Sequence, residues 1–223
     1  FQKEIHVTVN ISHELLTPIA VIQITLENLL LMKDIEPSLA EKIEESLKML
    51  FRLHSLCNSL LLIARLESRQ YLREESFSVN ELLSEIISEI NPIAEDAGIF
   101  IKYDFAQDLT FTRANKPLVF SMFYNVMNNA VKNNKAGGNI TIKSFQSGKK
   151  FIVTITDTGR GMSMAQMSNL FSRFKTRVEY EGAGTGIGLA IAKSIADFHG
   201  IEILVESEVN KGTSFSFRFS GNS

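Results

Sequence analysis

Apolar residues recur at three- and four-residue steps over the first third of the chain. Ile5, Val9, Leu16, Ile19, Ile22, Leu26 and Leu29 mark one helix to about Lys33. Asp34 to Ser38 reads as a turn, and Pro37 opens a second helix to about Gln70 along Leu39, Ile43, Leu47, Leu50, Leu53, Leu56, Leu60 and Ile63. Two long helices with a short connection predict an antiparallel hairpin. Its apolar arc is too wide for one hairpin to cover, so pairing into a dimeric four-helix bundle is expected.

The period changes near Tyr71, and the polar Arg73-Glu74-Glu75-Ser76 reads as a linker. Phe77 to Val79 is then a short strand, and Asn80 caps a helix running to Ala97, closed by Gly98. Ile99 to Phe105 has strand composition. Pro117 opens a helix ending before Ala136-Gly137-Gly138. Alternating strands at Ile140 to Phe145 and Phe151 to Thr156 form a hairpin around Gly148. Thr185 to Phe198 is helical, and Ile201 to Glu206 and Ser214 to Phe219 form a last hairpin around Asn210-Lys211-Gly212. The fold class is therefore α+β in two domains, the helical hairpin followed by an α/β sandwich, a mixed sheet with helices on one face. The expected boundaries are 1–72, a linker 73–78, and 79–223.

Composition narrows the classes. A net charge of −2 over 223 residues gives no footprint for nucleic acid. The single Cys57, set among Leu56, Leu60 and Leu61, excludes an intrachain disulfide and reads as a core thiol. No uninterrupted apolar run reaches the roughly 18 residues that span a bilayer. The chain starts at Phe1 within a helical pattern, as expected of a portion of a longer protein whose membrane spans would lie upstream.

Candidate chemistry sits in four places. On the first helix, His13 and Thr17 share a face one turn apart, and Glu14 follows the imidazole. An exposed imidazole beside a carboxylate can accept and release a phosphoryl group; a plain surface histidine is the rival reading. Asp157-Thr158-Gly159-Arg160-Gly161 follows a strand. A buried aspartate at that strand end can accept a hydrogen bond from an adenine amino group, while the glycines let backbone approach a nucleotide. The rival there is an ordinary Asp-Gly turn. Gly184-Thr185-Gly186-Ile187-Gly188-Leu189 precedes a helix and offers amides to phosphate, though it is neither a Walker loop nor a dinucleotide fingerprint. Asn125 and Asn129 stand one turn apart; amide oxygens suit a phosphate-bound magnesium ion, and Lys132 can balance phosphate charge. Each of these alone also fits a polar helix face.

In this order and spacing the motifs resemble the core of a sensor histidine kinase of a two-component system, over essentially the whole chain. Ile11 to Pro18 resembles the phosphoacceptor box, Asn125 to Lys132 the asparagine box, and Asp157 to Gly161 the first glycine box. Phe171-Ser172-Arg173-Phe174 resembles the phenylalanine box, Gly184 to Leu189 the second glycine box, and Gly212-Thr213 a terminal element near the nucleotide. The resemblance implies a Bergerat-type ATP site with a mobile lid from about Gly161 to Gly184, and a homodimeric phosphoacceptor bundle.

It further implies ATP and Mg2+ as cofactors, Asn129 as metal ligand, Asp157 as reader of adenine, and His13 as the phosphorylated residue. Phe174, Gly184, Thr185, Gly186, Gly188, Leu189 and Thr213 are implied to line the nucleotide. Glu14 is implied to hold the histidine tautomer, and Thr17 to place water for dephosphorylating a response regulator receiver domain. The implied location is a cytoplasmic portion of a protein anchored in the plasma membrane by segments upstream.

Two positions depart from the family. Asn133 replaces the usual aromatic or histidine over the base, and Leu16 a basic residue. Two rival functions share parts of this pattern. ATP hydrolases of the gyrase, chaperone and mismatch-repair group share the nucleotide fold but place a glutamate where Asn125 stands, and an amide cannot serve as general base. A non-catalytic nucleotide-binding signalling module would not need His13, Glu14, Asn129 and Asp157 together.

Overall fold

The computed structural model describes residues 2–32, 35–68, 70–172 and 187–219, with side chains from residue 16 onward. It divides into two compact units, Phe1–Gln70 and Tyr71–Ser223. The first holds α1 (Gln2–Leu30), which carries Pro18 internally, and α2 (Pro37–Glu67). Glu36 is extended ahead of Pro37, whose missing N–H costs nothing in the first turn. The two helices pack on each other, burying Ile19, Ile43, Leu47, Cys57, Leu61, Ile63 and Leu66. Much apolar surface remains outside that contact: Val21, Ile22 and Ile24 on α1, and Met49, Phe51 and Leu53 on α2, are all exposed.

One expectation changes here. By length and composition α2 is apolar enough to cross a bilayer. Arg52 breaks an uninterrupted apolar run without spoiling the average over a longer window, and an amphipathic bundle helix meets the same criterion.

The second unit begins with β1 (Glu75–Ser78), which pairs antiparallel with β3 (Thr110–Ala114). Between them lie α3 (Val79–Asp96) and β2 (Phe100–Phe105). Then follow α4 (Lys116–Lys132), the hairpin β4 (Asn139–Ser147) and β5 (Lys150–Asp157), and the short α5 (Met164–Met167). The chain closes with α6 (Gly188–His199) and the hairpin β6 (Glu202–Glu208) and β7 (Gly212–Phe219). The five-stranded sheet runs β2-β4-β5-β7-β6, parallel only between β2 and β4. Phe151, Val153 and Ile155 of β5 and Phe215, Phe217 and Phe219 of β7 point to one side, where α3, α4 and α6 close the core with Leu82, Ile86, Met122, Phe123, Met127 and Ile195. Phe123 meets Phe217 edge-on at 4.9 Å between ring centroids.

Several boundaries move for local reasons. β1 begins at Glu75, inside the polar stretch and two residues before the strand expected from Phe77, because Glu75 pairs with Ala114 of β3; its carboxylate also accepts the Lys116 N–H at 2.7 Å and so serves the start of α4. Ser78, not Asn80, caps α3 by accepting from Glu81 N–H at 3.0 Å; Asn80 instead donates its side-chain amide to the Gln107 carbonyl. Neither β3 nor the four-residue α5 is announced by the apolar pattern. β3 is five residues long and is stabilised by pairing with β1, a contact made across the chain.

Candidate functional site

Asp157 closes β5 and is 4% exposed. Its Oδ1 accepts two backbone N–H groups, from Gly159 at 2.8 Å and Thr213 at 3.3 Å. Burial pushes this carboxyl above the ordinary aspartate value, and those two N–H bonds pull it back down. No hydrogen bond to Oδ2 is present among the described residues, so one lone-paired oxygen remains for a donor from outside.

The turn after Asp157 is pressed between two neighbours. A Cβ on Gly159 would lie 2.2 Å from the Asn133 carbonyl oxygen, and the Arg160 N–H donates to that same carbonyl at 3.1 Å. Gly161 adopts φ +60°, and a Cβ there would lie 1.9 Å from the Glu208 carbonyl. Only glycine satisfies both demands. Across the sheet, Asp157, Thr213 and Ser207 are successive cross-strand partners on β5, β7 and β6. The Ser207 hydroxyl lies 2.9 Å from Thr213 Oγ1, donates to the Gly212 carbonyl at 3.0 Å, and accepts from Met162 N–H at 2.9 Å.

Opposite this corner stands the end of α4, started by Asn115 accepting from Leu118 N–H at 3.1 Å. The Asn133 side chain donates to both the carbonyl and Oδ1 of Asn129, each at 2.8 Å, and accepts from the Arg160 guanidinium. A continuous set of contacts thus joins Asn129 through Asn133 and Gly159 to Asp157. Beside it lies a cavity of about 220 Å³ lined by Lys132, Asn133, Asn134, Lys135, Gly159, Arg160 and Asn210.

Asn125 does not join this set. Its amide nitrogen donates to the Ser121 carbonyl at 2.8 Å, and its oxygen lies where a Cβ on Gly188 would come within 2.7 Å. It seats the start of α6, whose first residues are Gly188 and Leu189. Phe174, Gly184, Thr185 and Gly186 lie outside the described residues, as do the side chains of His13 and Glu14; Thr17 is exposed on α1.

For magnesium, the fit rests on oxygen chemistry. Among the described residues no group of three His, Cys, Asp or Glu could hold a metal ion. Asn129 Oδ1 is held by one N–H and keeps a lone pair, as suits an ion that takes most of its ligands from phosphate and water.

Family models match both units: the His Kinase A (phospho-acceptor) domain over residues 7–69, and the histidine kinase-, DNA gyrase B- and HSP90-like ATPase over residues 114–222. The chain belongs to the histidine kinase family. This histidine kinase is 31% identical to the heme sensor protein HssS of Staphylococcus saprophyticus, over 96% of this chain and 46% of that protein. It is 29% identical to the sensor histidine kinase RppB of Synechocystis, over 98% of this chain and 49% of that one. The chain thus spans about half the length of the curated relatives it matches. Among solved structures, full-length ShkA in complex with AMPPNP shares the fold at TM-score 0.78 and 24% identity, over 98% of this chain and 46% of that one. The Acinetobacter baumannii histidine kinase AdeS does so at 0.67 and 20%, over 95% of this chain and 98% of that one.

Two contributors escaped the sequence. Ser207 is the polar break in the inward series Ile203, Val205, Ser207 of β6, a weak signal without the β7 register. Arg160 stands inside the first glycine box, yet its contact with Asn133 depends on how the turn meets α4.

Proposed function

We propose that this histidine kinase binds ATP at Asp157, transfers the γ-phosphoryl group to His13, and passes it on to an aspartate of a response regulator receiver domain. The observation that carries the reading is the buried Asp157 carboxylate, one oxygen fixed by Gly159 and Thr213 N–H groups and the other available to an amino group. Asn129 would hold Mg2+, which when bound neutralises phosphate charge, and Lys132 adds a further cation there. The glycines from Gly184 to Gly188 and Leu189 offer amides to phosphate, and Phe174 belongs to the same implied enclosure.

In the transfer, a ring-nitrogen lone pair of His13 forms the N–P bond while the P–O bond to the leaving ADP breaks. Glu14 accepts the proton from the other ring nitrogen and holds the productive tautomer. Thr17, one turn on from His13, serves the reverse traffic by placing a water for hydrolysis of the regulator's acyl phosphate. Exposed Val21, Ile24, Met49 and Phe51 support a homodimer that covers them. The two units form the cytoplasmic portion of a sensor held at the plasma membrane by segments beyond this chain. Asn125 argues against a gyrase-type hydrolase, since its amide is committed to Ser121 and has no basicity to activate water.

The test is label transfer from γ-labelled ATP with magnesium, in the wild type and in His13→Ala. Acid-labile, alkali-stable label that vanishes in the variant is expected; label that survives it would move the phosphoacceptor elsewhere.

A further inference from the structure

β2 is an outer strand of the five-stranded sheet, with β4 on one side and no strand on the other among the described residues. Phe100 N–H donates to the Gly138 carbonyl and Ala106 N–H to the Ser144 carbonyl, both at 3.0 Å. In a parallel pair, alternate residues turn their backbone groups toward the neighbour. Phe100, Lys102, Asp104 and Ala106 therefore spend theirs on β4, while Ile101, Tyr103 and Phe105 turn N–H and C=O outward. Side chains divide the same way. Ile101 and Tyr103 are register partners of the buried Ile140 and Ile142, so with Phe105 they lie on the helix side of the sheet; Lys102 and Asp104 lie on its open side. Tyr103 is nonetheless 61% exposed, its ring centroid 5.3 Å from that of Phe105.

Charges on an edge strand ordinarily keep other strands away. Here they discriminate between registers. Lys102 and Asp104 are both exposed, and neither forms an ion pair among the described residues. Outward-facing residues can pair only with outward-facing residues, so a second copy lying antiparallel on this edge has three central registers. Centring on Lys102 sets the two lysines against each other, and centring on Asp104 sets the two aspartates so. Centring on Tyr103 sets each Lys102 opposite Asp104 of the other copy, and opposite charges attract where like charges repel. That same register sets Tyr103 against Tyr103 and Ile101 against Phe105, so the outward backbone groups meet beneath apolar side chains. We propose that β2 is a self-pairing edge, docking antiparallel on β2 of a second copy of this chain with Tyr103 at the centre. The contact lies in the second unit, apart from the exposed apolar surface of α1 and α2, and it does not depend on the nucleotide reading. A strand of six residues makes a small interface, so the association is transient and is best trapped covalently.

The test uses the purified whole chain with Cys57→Ala, so that each introduced thiol stands alone. Residues facing each other in a hydrogen-bonded antiparallel pair have Cα atoms about 5.5 Å apart, within disulfide reach. Tyr103→Cys should therefore yield a covalent dimer under mild oxidation, read on a non-reducing denaturing gel. Lys102→Cys is the control: its counterpart in the second copy lies about 8 Å away, out of reach, so cross-linking should be at least about fivefold slower. Lys102→Asp or Asp104→Lys, each added to Tyr103→Cys, should slow cross-linking by about fivefold or more, and the two together, which exchange the charges, should restore it. Thermal melts of every variant separate loss of pairing from loss of folded protein. Equal rates at positions 102 and 103 would overturn the register. A rate at 103 indifferent to charge reversal, or no covalent dimer at all, would overturn a second copy as the occupant of this edge.

Discussion

His199 gives a sharp test of how the nucleotide corner is held. It ends α6, is 8% exposed, and lies against Phe111 and Phe198 at centroid distances of 6.0 and 5.0 Å. Its Nδ1 donates to the Ile195 carbonyl at 2.9 Å, which leaves Nε2 to accept the Asn115 N–H at 3.1 Å. Asn115 is also the cap of α4, so one imidazole ties the end of α6 to the start of the helix that carries Asn129. Replacement by alanine strands the Asn115 N–H, at about 1–3 kcal/mol, and removes ring packing worth about 1 kcal/mol more. A loss of about 2–4 kcal/mol is expected, which lowers Tm by roughly 6–12 °C for a unit of this size. His199→Phe, which keeps a ring and removes both hydrogen bonds, should cost about half as much.

The pH dependence has a definite sign. Burial, with the nearby Arg73 charge, holds His199 below the ordinary histidine value of 6.5, against the opposing pull of the Ile195 carbonyl. A histidine depressed in the folded state adds stability that is fully present above about 6.5. That stability is lost as pH falls from there toward the folded value, because the unfolded chain takes up the proton first. The loss approaches at most about 1.4 kcal/mol per pH unit and is absent from both variants. All four tyrosines, at 71, 103, 124 and 180, lie beyond residue 70. Tyrosine fluorescence during urea unfolding therefore reports the second unit alone. A cost below about 0.5 kcal/mol in His199→Ala, or the same slope between pH 7.5 and 5 in wild type and variants, would refute the reasoning.

Further outcomes follow from the same contacts. Asp157→Asn keeps an acceptor for Gly159 and Thr213 and sheds a buried charge, so it should fold at least as stably as the wild type. ATP binding by calorimetry should nonetheless weaken by about tenfold or more, because an amide nitrogen then has room to face the base amino group. Gly161→Ala should destabilise the second unit by about 2 kcal/mol or more in urea unfolding, since the new Cβ combines left-handed backbone with a clash on the Glu208 carbonyl. Thr17→Ala should retain labelling of His13 and lose regulator dephosphorylation, measured as the lifetime of a phosphorylated receiver domain; an unchanged lifetime would reject its role.

Much of this architecture is legible in the linear chain because the signals are local. Helical period, Pro37 at a helix start, Gly98 and Gly200 at positive φ after α3 and α6, and the turn glycines after Asp157 each act on their own few residues. Apolar alternation likewise announced β4, β5 and β7, and the motif order announced the family. Ser78 displaced Asn80 as a cap because both are good caps in sequence, and only the Gln107 and Asp108 contacts draw Asn80 away.

What the sequence determined by itself was therefore the inventory: two units, the helical and strand segments, and the residue types able to do the chemistry. What only the tertiary structure decided was their partnership. Asp157, Thr213 and Ser207 are separated by dozens of residues or by a hairpin, and become one row only through the β5-β7-β6 register. His199 meets Asn115 across 84 positions of chain. Asn125 and Asn129 look alike on paper, yet one is spent on Ser121 and the packing of Gly188 while the other faces Asn133. The physical reason is common to all three. A side chain's propensity is a property of its neighbours in sequence, whereas the direction of a hydroxyl proton or an amide lone pair is set by whichever distant group folding places against it.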